Sequence, residues 1–439
     1  VVGVAPLAKR LPFKNDWLAQ SIAVAFIAQI VSFPLLLYHF SEFSILSFFA
    51  NLLLVPLISI SIPLAMGGVW IGFIFEQWEW LIGRFVVFLL DFSLQVSKWL
   101  FSLSWAHFTW AKPSVWWLLL FAVSLVYVWI AWIGDLFYRS VHRLIASSCL
   151  LLCISYAFVA PLFSRGTQIT FLDVGQGEAV VIETKSGQVV MIDGGNRALS
   201  HEERWRRKRK PIDMGERIVL PFLKSRGIRQ IDYWILTHGD RDHIGGVMAV
   251  SKRIPVKQVF RSIHPPKEGL EKELVQFLQQ SGVKVSTVQY GFTGTIEEGI
   301  YWQFLHPDYQ RKLGTKEKGN EDSIVFLLSI EGRRVLLTGD IGQVAEEKIL
   351  ADWRLPPVDI LKVAHHGSGS ATTRKWLEQL RPREAVISVG EENRYGHPHE
   401  EVLARLKDAR VRVWRTDRHG AITVRFVNGE YEITSMVGS

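Results

Sequence analysis

The chain has 439 residues, with 50 Lys and Arg against 42 Asp and Glu, a formal net charge of +8. That length leaves room for two or more domains, and a content of two cysteines excludes a disulfide framework. The positive balance suits a polyanionic partner or an anionic membrane surface and does not choose between them.

Hydrophobicity is divided unevenly along the chain. Residues 17–163 hold long apolar runs with few charges, whereas residues 164–439 have the charge density of a soluble domain. The chain opens on Val1 with no cleavable signal pattern, so a fragment lacking its N-terminal part is expected. Residues 17–40 are long enough to cross a bilayer as a helix, as are 115–133 and 144–163. Trp105, Trp110, Trp116, Trp117 and Trp132 stand near the ends of such spans, as an aromatic belt would. Residues 44–75 are also apolar, but Asn51, Pro56, Pro63, Gly67 and Gly68 interrupt them. This pattern predicts either a broken or re-entrant hairpin with a polar passage near Asn51 and Pro56, or a kinked helix packed on a neighbour. In residues 80–101, Arg84, Asp91, Gln95 and Lys98 form one stripe on an otherwise apolar helix, which lies in the interface or lines a cavity. Cys149 and Cys153, four apart in an apolar run, share a helix face as inert fillers.

The basic flanks set an orientation. Lys9, Arg10 and Lys14 precede the first span, and Arg139 and Arg143 lie between the last two. If both groups face the cytoplasm, the last span runs outward and the soluble part is extracytoplasmic. That requires an even number of crossings between Phe40 and Val115.

Beyond residue 164, short strands are expected over 168–173, 179–184 and 189–193, and again over 235–237, 323–330, 334–338, 360–364 and 384–389. Helical patterns at 270–280, 344–350, 373–380 and 400–408 alternate with the later ones. Strands that are nearly continuous Val, Ile and Leu predict a layered α/β architecture with sheets covered on both faces. Polar residues collect where these strands stop. "MIDGG" holds Asp193, "LTHGDRDHIGG" holds His238, Asp240, Asp242 and His243, "LLTGD" ends at Asp340, and "LKVAHHGS" holds Lys362, His365 and His366.

Carboxylates and imidazoles in this number suit two divalent ions, Zn or Mn. A lone Asp or His at a strand end is ordinarily a cap, but this clustering is not ordinary. His238 and Asp240 are expected to hold one ion and Asp242 and His243 the other, with Asp340 bridging and His365 completing the set. Asp193 is expected to fix a neighbouring imidazole rather than to ligate. Such a centre activates water and stabilises charge on a phosphoryl oxygen, which makes Asp242 part of the catalytic group. His397 of "RYGHP" is a candidate to protonate a leaving oxygen or bind a phosphate, and His366 is a second candidate or a spectator that orients His365. "DVGQGE", with Asp173 and Gln176, reads as a hairpin turn or a substrate-facing loop. The run Arg204, Trp205, Arg206, Arg207, Lys208, Arg209 and Lys210 is a solvated basic loop or a contact for nucleic-acid phosphates, and Trp205 favours the second.

These motifs, with "FLDVGQGEAVVIET" and the membrane stretch beginning "SIAVAFIAQIVSF", resemble ComEC-type competence proteins. The resemblance implies a polytopic helical channel domain over residues 1–163. A metallo-β-lactamase-like αββα sandwich over residues 164–439 would follow it. It also implies residence in the cytoplasmic (inner) membrane, entry of duplex DNA and passage of a single strand, with the soluble domain degrading the other strand. A lipid bilayer, a DNA receptor, a cytoplasmic translocase and a homo-oligomer are the implied partners. The family's N-terminal OB-fold module and first membrane helices have no counterpart here. Two departures from the broader superfamily stand out. Asp240 replaces the second His of His-x-His-x-Asp-His, and "GNEDSIVFLL" offers Asn320 and Ser323 where a histidine usually completes the first site. Both move that site toward oxygen ligands, hence toward Mn and weaker binding. The rival readings are a membrane-tethered hydrolase of a small-molecule ester or phosphodiester, and a transport subunit with an inactive metal domain.

Overall fold

The computed structural model describes residues 3–133, 139–163, 166–197, 212–267, 269–288, 290–308, 319–391 and 393–437. The chain forms two compact units, Val1–Pro161 with Lys224–Gly227, and Leu162–Leu223 with Ile228–Ser439.

The first unit is helical. Long helices cover Asp16–Phe40, Ser47–Gly72, Glu76–Ser102, Val115–Ile133 and Arg139–Phe163, and each contains a stretch long and apolar enough to cross a membrane. The first begins where the Asn15 side chain accepts from the Leu18 N–H at 3.2 Å, and it ends at Ser41 in the left-handed region. Of the two readings for residues 44–75, the structure forms the helix and not the hairpin. Ser47–Gly72 is one helix with Pro56 and Pro63 inside it, and Asn51 is exposed near its start. Proline deletes a backbone bond and bends a helix, but an uninterrupted apolar run on both sides keeps the remaining bonds worth making. A side chain at Gly68 would place its Cβ 2.8 Å from Ile82 Cγ2, so glycine lets this helix and Glu76–Ser102 approach closely. The indole N–H of buried Trp117 donates to the Cys153 carbonyl at 2.8 Å, tying Val115–Ile133 to Arg139–Phe163.

The second unit is built on two sheets. One runs in the order Glu430–Ser435, Ile422–Val427, Thr167–Phe171, Val180–Glu183, Val189–Ile192, Ile231–Leu236, Val256–Arg261, Lys284–Thr287. The other runs Arg412–Arg415, Glu384–Ile387, Ile360–Lys362, Arg333–Leu337, Val325–Ile330, Ile300–His306, Thr293–Glu297. The two-residue period of a strand sorts their side chains. Val190, Ile192, Val335 and Leu337 enter the core between the sheets. Val189 and Met191 face the layer containing Leu220–Ser225 and Leu270–Gln280, and Leu336 and Leu361 face the layer containing Gln343–Asp352 and Arg374–Leu380. The result is an αββα sandwich. In both sheets the strands next to the middle are parallel, so their C-terminal ends bring loops to one edge.

Candidate metal centre

Asp193 follows Val189–Ile192 and is fully buried with φ 52. Its carboxylate accepts from the Thr237 N–H at 2.8 Å and the Thr237 hydroxyl at 2.6 Å, which locks two neighbouring strand ends together. Its Oδ2 also lies 2.6 Å from His243 Nδ1. That contact puts the ring proton on Nδ1 and leaves the lone pair of Nε2 pointing the other way. His366 is fixed by the same logic, since its Nδ1 is 2.7 Å from the Ser388 carbonyl and can only donate to it.

The freed atoms converge on Asp340. His243 Nε2 lies 3.2 Å and His366 Nε2 3.3 Å from Asp340 Oδ2, and His366 Nε2 is 3.5 Å from Asp242 Oδ2. The His238 and His243 rings are 4.1 Å apart. Among the described residues, the Nε2 atoms of His238, His243 and His366 and Oδ1 of Asp340 are buried without a hydrogen-bond partner. Buried polar atoms left unpaired are costly, and here they gather in two overlapping groups that share His243. One ligand atom from each of His238, His243 and Asp340 lies within 4.8 Å of the others, and the same holds for Asp242, His243 and His366.

Charge tells the same story. Burial would raise Asp340, but the imidazoles of His366 and His243 hold it well below the usual carboxylate range. Burial would lower His366, yet Asp340 and Asp242 outweigh it and lift the ring to about 9. His243 is likewise raised against burial by Asp340 and Asp193. The carboxylates therefore demand positive charge at this spot. A divalent ion held by these residues would meet that demand in place of the protons.

The structure rearranges part of the expected set. His366, not His365, joins Asp242 and His243, while His365 Nε2 lies 3.0 Å from Asn320 Nδ2. Both histidines are left-handed, φ 48 and 53, in the turn Ala364–Gly367, so the two neighbouring side chains diverge. Asp240 stands outside both groups, with Lys267 Nζ 2.5 Å from its Oδ1. Ser323 precedes its strand and accepts the Asp340 N–H at 3.2 Å, holding the carboxylate's backbone. Asp173 is exposed and accepts from the Gly175 N–H at 3.2 Å, as a turn residue does. Gln176 Oε1 is buried without a partner among the described residues. His397 lies beside His365, ring centres 5.6 Å apart, and burial followed by His365, His366 and His399 pushes it down to about 4. That favours the neutral ring, which keeps one N–H donor and one acceptor nitrogen beside the site. Residues 204–210 lie outside the described residues.

Sequence reasoning missed three contributors. Glu178 forms a fully buried ion pair with Lys362, and Lys267 reaches Asp240 from 27 residues away. Gly177, at φ 136, would place a Cβ 2.3 Å from the Asp242 carbonyl oxygen, so only glycine lets that loop press on the ligand segment. The glycine pair in "GQGE" was the available signal for the last.

A two-sheet sandwich with His and Asp ligands at its strand ends defines a metal-dependent hydrolase fold. The chain belongs to the metallo-beta-lactamase superfamily, whose model matches residues 172–391, and its residues 1–162 match the Competence protein family. It is 32% identical over 427 residues to ComE operon protein 3 of Bacillus subtilis, covering 94% of this chain and 52% of that protein. It is 30% identical over 285 residues to Recombination protein 2 of Haemophilus influenzae, covering 65% of this chain and 32% of that one. The chain thus spans about half the length of the first relative and about a third of the second. Among solved structures, CmlA, a diiron beta-hydroxylase from Streptomyces venezuelae, aligns with TM-score 0.38 at 14% identity, covering 73% of this chain and 64% of that one. With five membrane-capable helices among the described residues and the competence match, this is a multi-pass membrane protein.

Proposed function

We propose that the chain acts in DNA uptake during competence. In this reading residues 1–163 form part of the membrane passage and residues 164–439 hydrolyse phosphodiester bonds of the strand that is not carried through. The observation that carries the hydrolase half is the approach of the buried His243 and His366 Nε2 atoms to Asp340, with a ligand atom of His238 within 4.8 Å. Asp242, His243, Asp340 and His366 would hold one divalent ion, Mn or Zn, and His238 with Asp240 a second that shares Asp340. Ions bound there supply Lewis acidity toward a phosphoryl oxygen and lower the pKa of water. The chain's own residues do the rest. Asp193 and the Ser388 carbonyl orient His243 and His366, and neutral His397 offers a hydrogen-bond acceptor beside the site. Duplex DNA, the lipid bilayer, a DNA receptor, a cytoplasmic translocase and a second copy of the chain are the partners this reading requires. The similarity to competence proteins supports it. The test is cleavage by the full chain in detergent: duplex DNA should be cut when Mn is supplied. Hydrolysis of a small phosphodiester without DNA cleavage would move the substrate class, and no hydrolysis with Mn or Zn would end the nuclease reading.

Two further expectations belong to this reading. The basic run from Arg204 to Lys210 contacts DNA phosphates, so reversing the charge of Arg206, Arg207, Lys208, Arg209 and Lys210 should weaken binding and flatten its salt dependence. An unchanged salt slope would mark the run as an ordinary solvated loop. The hydrolase unit stands outside the cytoplasmic membrane. Ser47–Gly72 and Trp80–Ser102 provide the even number of crossings that keeps Arg139 and Arg143 on the side of Lys9, Arg10 and Lys14. A cysteine replacing Ser439, with Cys149 and Cys153 removed, should react with an impermeant maleimide in intact cells stripped of any outer barrier. Protection until lysis would place the hydrolase in the cytoplasm.

A further inference from the structure

The ligand atoms at the centre are unevenly shared. His243 has one free lone pair, on Nε2, because Asp193 takes its Nδ1. It can serve one ion, and Asp242, Asp340 and His366 stand with it. An ion on the other side is left with His238 Nε2, a share of Asp340, and Asp240. Asp240 is already engaged. Its Oδ1 is 2.5 Å from Lys267 Nζ, and its Oδ2 is 3.6 Å from His238 Nε2.

The lysine is held there by Glu271, which packs against the motif that supplies the ligands. Its backbone N–H donates to Glu271 Oε2 at 2.8 Å, and the other oxygen of Glu271 accepts from Arg261 at 2.9 Å. Gly239, between His238 and Asp240, would place a Cβ 2.1 Å from that Glu271 Oε2. The glycine lets the lysine's anchor pack directly on the ligand segment. A Cβ on Gly319 would fall 3.0 Å from Lys267 Nζ, so that backbone also lies close to the ammonium, although the lysine side chain is 41% exposed.

We infer that Lys267 is the resident cation of the His238–Asp240 position, engaging Asp240 so that the chain binds one divalent ion tightly and a second only weakly. An incoming ion must displace the ammonium or accept its repulsion at close range. The inference rests on the metal-binding reading of this centre and is independent of which substrate is cut.

The test is a titration of the full chain in detergent, stripped with chelator, against Mn alone. Bound metal is measured after dialysis, and Mn–Mn spin coupling is followed by electron paramagnetic resonance. Wild type should retain one equivalent, with the second at least tenfold weaker and little coupling. Lys267→Met should tighten the second equivalent at least tenfold and bring up the coupled spectrum, while Lys267→Arg should titrate like wild type. Lys267→Gln guards against a fold effect in the Met variant and should match it. Two equivalents of equal affinity in wild type, or no change in Lys267→Met and Lys267→Gln, would overturn the assignment. If wild type and His366→Ala both fail to retain any Mn, the metal-centre reading itself is lost, and the lysine's role with it.

Discussion

Asp340→Ala should leave the chain folded, unable to retain Mn, and without detectable cleavage of duplex DNA. Asp340 Oδ2 lies 3.2 Å from His243 Nε2 and 3.3 Å from His366 Nε2, closer to the pair than Asp242, and its Oδ1 is buried without a hydrogen-bond partner among the described residues. Its loss also removes the largest negative influence on both imidazoles, so their charged forms are favoured less and less buried charge is left unpaired. That is why folding should survive. The two adjacent histidines make the sharper comparison. His366→Ala should lose Mn as Asp340→Ala does, whereas His365→Ala should retain it, because His365 reaches Asn320 and not the ligand group. Asp193→Asn should fall between them, with about a 10–100-fold loss of affinity, since it orients His243 without ligating. Metal content after dialysis and cleavage rate are measured for each. Retention by His366→Ala with loss in His365→Ala would reverse the ligand assignment.

That comparison also shows where sequence reading ran out. Strand ends are legible because apolar runs stop at Asp or His, so the positions of Asp193, His238, Asp242, His243 and Asp340 follow from pattern. The choice between His365 and His366 depends on two successive left-handed residues, which no spacing of neighbours reveals. Lys267 is invisible for a different reason. It meets the ligand segment through its contact with Asp240, 27 residues away, which no local spacing reveals. In the membrane unit, Pro56 and Pro63 were weighed as breakers, but their effect depends on whether the apolar run continues beyond them. Composition alone carries that information only if length is weighted above the breakers.

Lys362→Met should lower the melting temperature of the metal-free protein by on the order of 10 °C, and Mn should restore more stability to this variant than to wild type. Lys362 ends a strand of one sheet and Glu178 precedes a strand of the other, so the pair crosses the sandwich. Both residues are almost wholly buried. Removing one member strands the other charge in a low-dielectric interior, a loss of about 3–5 kcal/mol. For a domain of this size each kcal/mol moves the midpoint by about 2–4 °C. The ammonium has a second duty. Burial opposes its charge, but Glu178 and then Asp340 and Asp193 favour it, so it offsets part of the carboxylate charge from behind the ligands. A divalent ion in front of Asp340 supplies charge of the same sign, and binding only the folded form adds stability by mass action. Replacing both partners, as Glu178→Leu with Lys362→Met, should recover most of the lost stability, because neither charge is then left unpaired. The double variant should keep the enlarged response to Mn, since the carboxylates still lack their rear cation. Melting each form with chelator and with Mn separates the two duties. Equal Mn-induced shifts in wild type and both variants would confine Lys362 to the ion pair, and a single variant melting with wild type would show that the pair contributes little to the sandwich.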